Sequence, residues 1–442
     1  MNATTLTTPG LSPVSMPSSD AGASRSTISR KAVAAAVAGN ALEFYDFVIY
    51  AYFAVYIGRT FFPVGGEFGS LLVAVATFGV GFFTRPLGGI LIGAFADRAG
   101  RKPAMILTVA LITIGTLGLA ATPSYASIGI AAPVIVVACR LLQGLALGGE
   151  VGPATSLLIE AAPTHRRGFY SSWQIASQGL AVAVGGLFGV TLSLMLPPEQ
   201  LAAWGWRVPF LFSLVLIPIA IYIRRSLPET HEGGHERSGA DIVRAVFSKH
   251  RRILLLGVLI SASTAVASQV GNYMVTYAVQ MLKLPAALAQ GSVLMGGVMT
   301  FVFALVGGLL CDRYGRKVIN ILPRIALAVL MVPMFLWLSG APGAATLLTV
   351  SGILAALTAV FGAAGLLTVP ELLPIAVRST GLSLVYAIST SIFGGTTQFV
   401  VTWLLALTHN PLAPAYYVMA ISVISVIAMW MLPESRDVDV RQ

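Results

Sequence analysis

Charged residues are scarce in this chain. They make up 10% of its 442 residues, whereas hydrophobic residues make up 56%. A soluble domain carries about 25% charged residues, and so few charges cannot cover a surface that faces water. The scarcity therefore excludes a soluble globular protein. The apolar residues form continuous runs and do not alternate with polar ones, which excludes a membrane β-barrel and predicts membrane-spanning helices.

Cysteine and clustered histidine are scarce as well. The two cysteines, Cys139 and Cys311, lie within or at the end of apolar segments, so neither a disulfide framework nor a metal site is predicted. The chain has no nucleophile elbow and no phosphate-binding loop, so we predict neither an enzyme nor a cofactor. A net charge of +10 would suit a nucleic-acid partner, but the Lys and Arg residues fall in short loops between apolar runs. We therefore expect no nucleic-acid binding.

A basic decapeptide occurs twice between long apolar runs. It reads GAFADRAGRK at Gly93–Lys102 and GLLCDRYGRK at Gly308–Lys317, and the two copies agree at six positions. Two further motif pairs follow in the same order, Glu160-x-x-Pro163-x-x-x-Arg167 with Glu371-x-x-Pro374-x-x-x-Arg378, and Leu227–Thr230 with Leu432–Ser435. Matching motifs in one order indicate a duplicated chain, with one copy in each half.

The apolar runs are long enough to cross a bilayer, which takes about 20 helical residues. Twelve runs, called spans 1 to 12 below, are predicted at 33–57, 70–95, 104–122, 128–152, 169–196, 206–224, 252–279, 286–311, 318–339, 344–369, 380–407 and 414–432. Six lie on each side of a polar connection. We therefore predict an all-α membrane protein with twelve transmembrane helices in two six-helix bundles, related by pseudo-two-fold symmetry.

Polar segments divide the chain and predict its orientation. The expected divisions are a disordered cytoplasmic tail at 1–30, an N-terminal bundle at 31–225, a cytoplasmic central loop at 226–250, a C-terminal bundle at 251–434 and a cytoplasmic tail at 435–442. With the N-terminus inside, 21 Lys and Arg residues fall in cytoplasmic segments and only 2, Arg59 and Lys283, in outer loops. Cytoplasmic loops are enriched in these residues, so both termini are predicted to be cytoplasmic in a multi-pass protein of the bacterial inner membrane.

Several stretches resemble a known family. The Gly-x-x-x-Asp-Arg-x-Gly-Arg-Lys loop after spans 2 and 8 is similar to that of the major facilitator superfamily. Four stretches resemble its metabolite:proton symporters, namely Gly39–Phe47, Arg85-Pro86, Arg140–Gly144 and Trp204–Phe210. The stretches at 168–178 and 392–395 look most like the citrate and tricarballylate branch, although Val279 stands where that branch carries a basic residue. The resemblance implies proton-coupled transport.

Span 1 carries three polar residues on one face. Asn40, Glu43 and Asp46 are spaced by three, which keeps them within about 120° of arc on a helix. An unpaired carboxylate in the bilayer costs about 2.5–3.5 kcal/mol or more. The two carboxylates therefore either pair with structural arginines or carry a proton during transport. We predict the second role, with Glu43, Asp46 and Arg140 as the proton-coupling residues.

Four arginines lie within or at the edges of the predicted spans, namely Arg85 in span 2, Arg140 in span 4, Arg207 in span 6 and Arg324 in span 9. The planar guanidinium is suited to carboxylates, so Arg85 and Arg140 are predicted to hold substrate; a permanent buried ion pair is the alternative for each of them. Other substrate contacts are predicted where polar side chains recur at helical spacing, with packing between helices as the alternative. The predicted set is Asn40, Arg85, Arg140, Gln143, Tyr170, Gln174, Gln178, Tyr273, Tyr277, Tyr386 and Ser389.

The paired loops predict a gate. Asp97 is expected to accept hydrogen bonds from the positive N-terminal end of a helix in the opposite half, and with Arg101 to latch the cytoplasmic side. Asp312 and Arg316 are the corresponding, weaker pair in the second half. The remaining gating residues are predicted to be Glu160 and Arg167, with Glu371 and Arg378.

Together these features predict a secondary transporter that works as a monomer in the lipid bilayer. We expect it to import a citrate-like di- or tricarboxylate with protons, by rocking two halves around a site at mid-membrane. Symport of a compatible solute or a shikimate-like hydroxy acid is the main alternative, and a multidrug exporter is a weaker one. A metabolite sensor is disfavoured because the tail and the central loop are too short for a signalling domain.

Overall fold

The computed structural model describes residues 30–99, 101–148, 155, 158–159, 162–225 and 250–435. Most of the two predicted tails and of the central loop lie outside these residues, as does Glu160. Within the described residues the regular structure is entirely helical, as predicted for an all-α membrane protein.

The twelve predicted spans coincide with helices or with helices in series. Their bounds are, in chain order, Arg30–Tyr52 with Ala54–Phe61 (span 1), Gly66–Phe83 with Arg85–Ala99 (span 2), Arg101–Ala121 (span 3), Ala131–Leu147 (span 4), Arg167–Met195 (span 5), Val208–Arg225 (span 6), Arg251–Gln280 (span 7), Ala286–Tyr314 (span 8), Arg316–Gly340 (span 9), Ala344–Glu371 (span 10), Ile375–Ser389, the π-helical turn Thr390–Gly394 and Gly395–Thr408 (span 11), and Ala413–Trp430 (span 12). Short helical pieces at Tyr125–Ile128, Thr164–Arg166, Pro198–Ala203 and Gly205–Arg207 lie between them.

Most of these helices can cross a bilayer by length and composition. In the described part of the chain, 8 helices are long and apolar enough, and the bent pair of span 1 makes a ninth. Spans 3, 4 and 6 contain shorter apolar helices, Ile106–Ala121, Ala131–Leu147 and Gly205–Val215.

Spans 5 and 8 form the closest contact between the two halves. A Cβ added to Gly179 would lie 2.5 Å from the backbone nitrogen of Phe301, and one added to Gly186 would lie 2.5 Å from that of Leu294. Nearer the start of span 5, Gly168 faces the carbonyl oxygen of Gly308. Small residues let backbones approach, so the glycines allow these two helices to pack along most of their length.

Glycines also bring span 4 against span 2 inside the first half. Gly144 faces the carbonyl oxygen of Gly81, and Gly148 faces that of Arg85. The Gly-x-x-x-Gly spacing of Gly144 and Gly148 allows this close packing. It places the backbone of Arg85 directly against span 4, the helix that carries Arg140.

Span 1 bends by 64° at Phe53, between its two helices. The bend leaves the carbonyl oxygen of Tyr52 open to a donor from the other half, and the Gln290 side chain donates to it at 3.1 Å. The Tyr52 hydroxyl in turn donates to Oδ1 of Asn272 at 3.3 Å. Spans 1, 7 and 8 are thus tied together at the bend.

Candidate functional site

A cavity of about 80 Å³ lies between the two halves. Its walls come from spans 1, 5, 7, 8 and 10. The polar part of the lining consists of hydroxyls and amides, among them Gln178, Ser268, Asn272, Ser292, Ser351 and Thr358. Among the described residues, no charged side chain belongs to the lining, and Phe44 is the one aromatic residue there. Of the predicted substrate contacts, only Gln178 lines this cavity.

Arg85 and Arg140 lie beside the cavity, inside the N-terminal half. They are 7% and 1% exposed. The two guanidinium carbons lie 4.4 Å and 5.2 Å from the centre of the same ring, that of Phe47. Nη1 of Arg140 donates to Gln143 at 2.8 Å, and Gln143 donates to Thr116 at 2.9 Å. Gln143 therefore links Arg140, on the same helix, to Thr116 of span 3 and holds the guanidinium in place.

Neither arginine forms a buried ion pair, which was the alternative to a substrate role. Within the described residues, no carboxylate oxygen lies within 4.0 Å of either guanidinium. Nε and Nη2 of Arg140 and Nε of Arg85 are buried without a hydrogen-bond partner. Since buried cations need a compensating anion, these nitrogens form a surface suited to an incoming carboxylate.

Asp46 is the carboxylate whose charge interacts with that of Arg140. It is 8% exposed, interacts with the Ser213 hydroxyl, and feels the charge of Arg140 without touching it. Its Oδ1 atom is buried without a hydrogen-bond partner. Glu43, one turn earlier on span 1, is half-buried and takes part in contacts of its own. Asp46 is thus placed to respond to any change in the charge around Arg140.

Tyr386 of span 11 links these arginines to the cavity. Its hydroxyl interacts with the guanidinium of Arg85 and with the amide of Gln178. Arg85 and Arg140 influence each other electrostatically, and Arg140 influences Asp46. A polar chain, Asp46–Arg140–Arg85–Tyr386–Gln178, therefore leads from span 1 to the cavity wall by way of span 11 of the other half. Charge alone links Asp46, Arg140 and Arg85, whereas Tyr386 interacts directly with Arg85 and Gln178.

Span 2 is interrupted at Thr84, between its two helices, and this interruption determines the position of Arg85. Pro86 has no N–H, so it cannot donate to the carbonyl oxygen of Phe82 four residues earlier. The Ser391 hydroxyl, from the π-helical turn of span 11, donates to that oxygen at 2.7 Å. The Phe82 ring in turn covers Arg85, with its centre 4.2 Å from the guanidinium carbon. Ser391 thus fixes the position of Arg85 from the opposite half.

This arrangement predicts a coupled effect of two substitutions. Ser391→Ala removes the hydroxyl donor to the Phe82 carbonyl and leaves the backbone N–H of Thr84 as its donor. One lost hydrogen bond costs about 0.5–1.5 kcal/mol, so we expect substrate KM to rise by about two- to tenfold. Pro86→Ala restores an N–H at position 86, and in that background the same change is expected to have little effect. The measurement is the uptake KM of the four variants, with Ser391→Thr as a control that keeps the hydroxyl. Equal effects in both backgrounds would contradict this account of Ser391.

Several predicted substrate contacts pair with protein groups instead of facing the cavity. Nε2 of Gln174 donates to Oδ1 of Asn40 at 2.8 Å, and Asn40 donates to Ser177 at 2.6 Å. Tyr273 accepts a hydrogen bond from Thr402 at 2.9 Å, and Tyr277 donates to the carbonyl oxygen of Pro411 at 2.9 Å. In this conformation these residues hold helices together, the alternative that their spacing left open.

Two further predicted contacts also lie off the cavity lining. Tyr170 is half-buried near the start of span 5, where its ring makes an edge contact with Phe169. Ser389 is buried in span 11, and its hydroxyl has no hydrogen-bond partner. A substrate role for either residue stays a prediction that depends on another conformation.

The latch expected of Asp97 is observed for its counterpart Asp312. Oδ1 of Asp312 accepts from the backbone N–H of Gly168 at 2.7 Å, and Oδ2 from that of Phe169 at 2.9 Å. These donors lie at the start of span 5, so a carboxylate of the second half caps a helix of the first. The side chains of Asp97 and Arg101 lie outside the described part. The gating role of all these residues stays a prediction.

Around Asp312 lies a buried network of the second half. Arg316 donates to both oxygens of Glu371, at 3.0 Å and 2.8 Å, and lies 3.6 Å from Asp312. Glu434 accepts from the backbone N–H groups of Arg316 and Lys317 at the start of span 9, at 2.9 Å each. The role of Glu434 as a cap was missed, although its motif had been noted as a repeat.

Arg167 and Arg378 are the remaining predicted gating residues. Arg167 is half-buried and Arg378 buried, and both make contacts.

Two six-helix halves that enclose a polar cavity at their seam are the architecture of an alternating-access transporter. The family model of the Major Facilitator Superfamily matches residues 36–395. The chain belongs to this superfamily.

Named relatives and solved structures agree with this membership. The chain is 35% identical over 405 residues to a citrate-proton symporter of Salmonella typhi, with 91% of this chain and 93% of the relative covered. It is 32% identical over 436 residues to a proline/betaine transporter of Salmonella typhimurium, with 92% and 84% covered. The solved D-xylose-proton symporter superposes with a TM-score of 0.75 at 17% identity, with 92% and 98% covered, which shows the fold alone.

Proposed function

We propose that this protein is a proton-coupled symporter that imports an organic acid, of the citrate-like di- or tricarboxylate class. The observation that carries the proposal is the pair of buried arginines, Arg85 and Arg140, with no carboxylate within 4.0 Å among the described residues. A multiply charged acid entering from the adjacent cavity supplies the missing negative charge. The similarity to citrate-proton symporters supports this class of substrate.

Tyr386 is the first group that the substrate meets on this route. In the present conformation its hydroxyl is hydrogen-bonded to the side chains of Arg85 and Gln178. A carboxylate that replaces the phenol on Arg85 gains a charge-assisted pair and releases span 11 from span 2. Binding is thereby linked to the contact between the halves, which alternating access requires.

Asp46 is the proposed proton carrier. Because Arg140 stabilises the Asp46 carboxylate, an anion that draws on the charge of Arg140 makes the ionised form of Asp46 less favourable. Substrate and proton then bind together. At an inside-negative potential each entering negative charge costs about 2.3 kcal/mol per 100 mV, so the acid must bring enough protons to offset its own charge.

The runner-up is a compatible-solute symporter, because proline/betaine transporters are also similar in sequence. A quaternary ammonium is recognised by aromatic rings, and Phe44 is the one aromatic residue of the described cavity lining. Two buried arginines beside the cavity favour an anion over a zwitterion.

The orientation proposed from the Lys and Arg bias places both termini and the Asp312 latch on the cytoplasmic side.

The experiment that tests the proposal is uptake into proteoliposomes under an imposed pH gradient, acid outside. Citrate, tricarballylate, 2-oxoglutarate, shikimate and betaine are each offered as labelled substrate. We expect accumulation of a di- or tricarboxylate that collapses when a protonophore dissipates the gradient. Accumulation of betaine with no response to any acid would establish the runner-up instead.

A further inference from the structure

A third buried arginine lies in the C-terminal half, away from the polar chain described above. Arg324, in span 9, is 0% exposed. All three of its guanidinium nitrogens are buried without a hydrogen-bond partner, and no carboxylate oxygen of the described residues lies within 4.0 Å of them. The Phe361 ring faces the guanidinium carbon, 4.5 Å from the ring centre. The face of one phenyl ring returns far less free energy than burial of a guanidinium costs.

Asn320 lies one helical turn before Arg324 and shares its surroundings. Its Nδ2 donates weakly to the carbonyl oxygen of Phe361, at 3.4 Å, and its Oδ1 is buried without a partner. Gly365 of span 10 faces both side chains. A Cβ at Gly365 would lie 3.1 Å from Nδ2 of Asn320 and 4.0 Å from Nη2 of Arg324. A methyl group at position 365 would therefore press against the amide of Asn320 and take up the space that faces the guanidinium of Arg324.

The fold itself does not require these polar residues. Counted from the paired Arg101 and Arg316 of the repeated decapeptide, Asn320 and Arg324 correspond to Met105 and Val109 in the first half. The same helix of the duplicated architecture is therefore built with apolar side chains at these positions. An ionisable residue buried in a membrane helix is a candidate functional residue by default, so Arg324 and its neighbour Asn320 are candidates for binding a ligand.

We propose that Arg324 and Asn320, with Gly365 as the opposite wall, form an anion site in the C-terminal half. The ligand is a small anion that accepts from the guanidinium, either a carboxylate or a halide. The site lies close to the cavity, because Gly362 of span 10 packs against Thr264, a residue of the cavity lining. A carboxylate that leaves the cavity can reach it, and so can an inorganic anion from solution.

The test is thermal unfolding of the purified full-length protein in detergent, titrated separately with chloride and with citrate in a buffer of a bulky sulfonate. We expect the unfolding temperature to rise with anion concentration in the wild type and in Arg140→Ala, which removes the substrate arginine. The rise with chloride is expected to disappear in Arg324→Met. The rise with citrate is expected to disappear in the double variant Arg140→Ala with Arg324→Met, because citrate can still bind at Arg140 in Arg324→Met alone. A response to chloride alone identifies a resident halide, and a response to citrate alone identifies the substrate carboxylate.

Gly365→Ala is the second variant and keeps the test decisive if Arg324→Met does not fold. Without an anion site, the added methyl group, 3.1 Å from Nδ2 of Asn320, shifts that amide by a few tenths of an ångström and leaves the response to anions unchanged. With one, the added methyl group displaces the anion, and the half-saturating concentration rises by about tenfold or more. No anion response in the wild type, an unchanged chloride response in Arg324→Met, an unchanged citrate response in the double variant, or unchanged half-saturation in Gly365→Ala would each overturn the proposal.

Discussion

Asp46→Asn is expected to abolish proton-driven accumulation of substrate while leaving substrate exchange intact. Asparagine keeps the size of the side chain and the contact with Ser213, but it cannot release a proton. The empty carrier then has no protonation step to couple to the movement of its halves. In proteoliposomes with an acid exterior, accumulation should fall to the level of protein-free liposomes, whereas counterflow between equal pools of labelled and unlabelled substrate should persist.

Arg140→Ala provides the contrast, because it removes a binding group and not a proton carrier. Loss of charge-assisted hydrogen bonds worth about 1.5–3 kcal/mol should weaken substrate binding by about 10- to 100-fold. Accumulation and counterflow should then both fail at low substrate concentration. Glu43→Gln is the matched carboxylate control on the same helix. If Glu43→Gln loses accumulation and Asp46→Asn keeps it, the coupled proton is carried by Glu43.

Glu371→Gln is expected to have the largest effect on stability. Arg316 and Glu371 are each 2% exposed and form a bidentate pair. Removing one partner of a buried ion pair costs about 3–5 kcal/mol, because the other charge stays buried; Arg316 would keep only the more distant Asp312, at 3.6 Å. The thermal stability of the purified protein should therefore fall steeply, and the protein should become prone to aggregation.

Two further variants separate the charge effect from the loss of contacts. The double variant Arg316→Met with Glu371→Met removes both charges and should be less destabilised than Glu371→Gln alone. Ser435→Ala removes only the hydroxyl that donates to Glu371 at 2.7 Å, and should cost about 1 kcal/mol. A double variant that is worse than the single one would show that the pair contributes through packing rather than charge.

The architecture could be derived from the sequence because its signals are long and repeated. An apolar run of bilayer length predicts a helix whatever its neighbours are, since backbone groups in lipid must bond within their own segment. The repeated decapeptide indicated two related halves. Span 1 was also predicted, but its bend at Phe53 was not, because no proline or glycine marks it.

The candidate site was predicted less completely. The spacing of polar residues identifies one face of a helix but not the helix that it meets. Asn40 and Gln174 were both expected to bind substrate, yet they bond to each other across 134 positions of the chain. Ser391 and Gln290 were not predicted at all, because their importance lies in carbonyl oxygens freed by Pro86 and by the bend of span 1.

The sequence by itself determined that this is a helical membrane protein of two duplicated halves, with ionisable residues buried in spans 1, 2 and 4. Only the tertiary structure decided where these residues lie relative to one another. It places them next to two further polar residues, Tyr386 and Gln178, beside a cavity whose described lining carries no charge. The reason is physical. Whether a charged residue is buried depends on the apolar composition of its own helix, whereas the residues that it meets depend on contacts between helices far apart in the sequence.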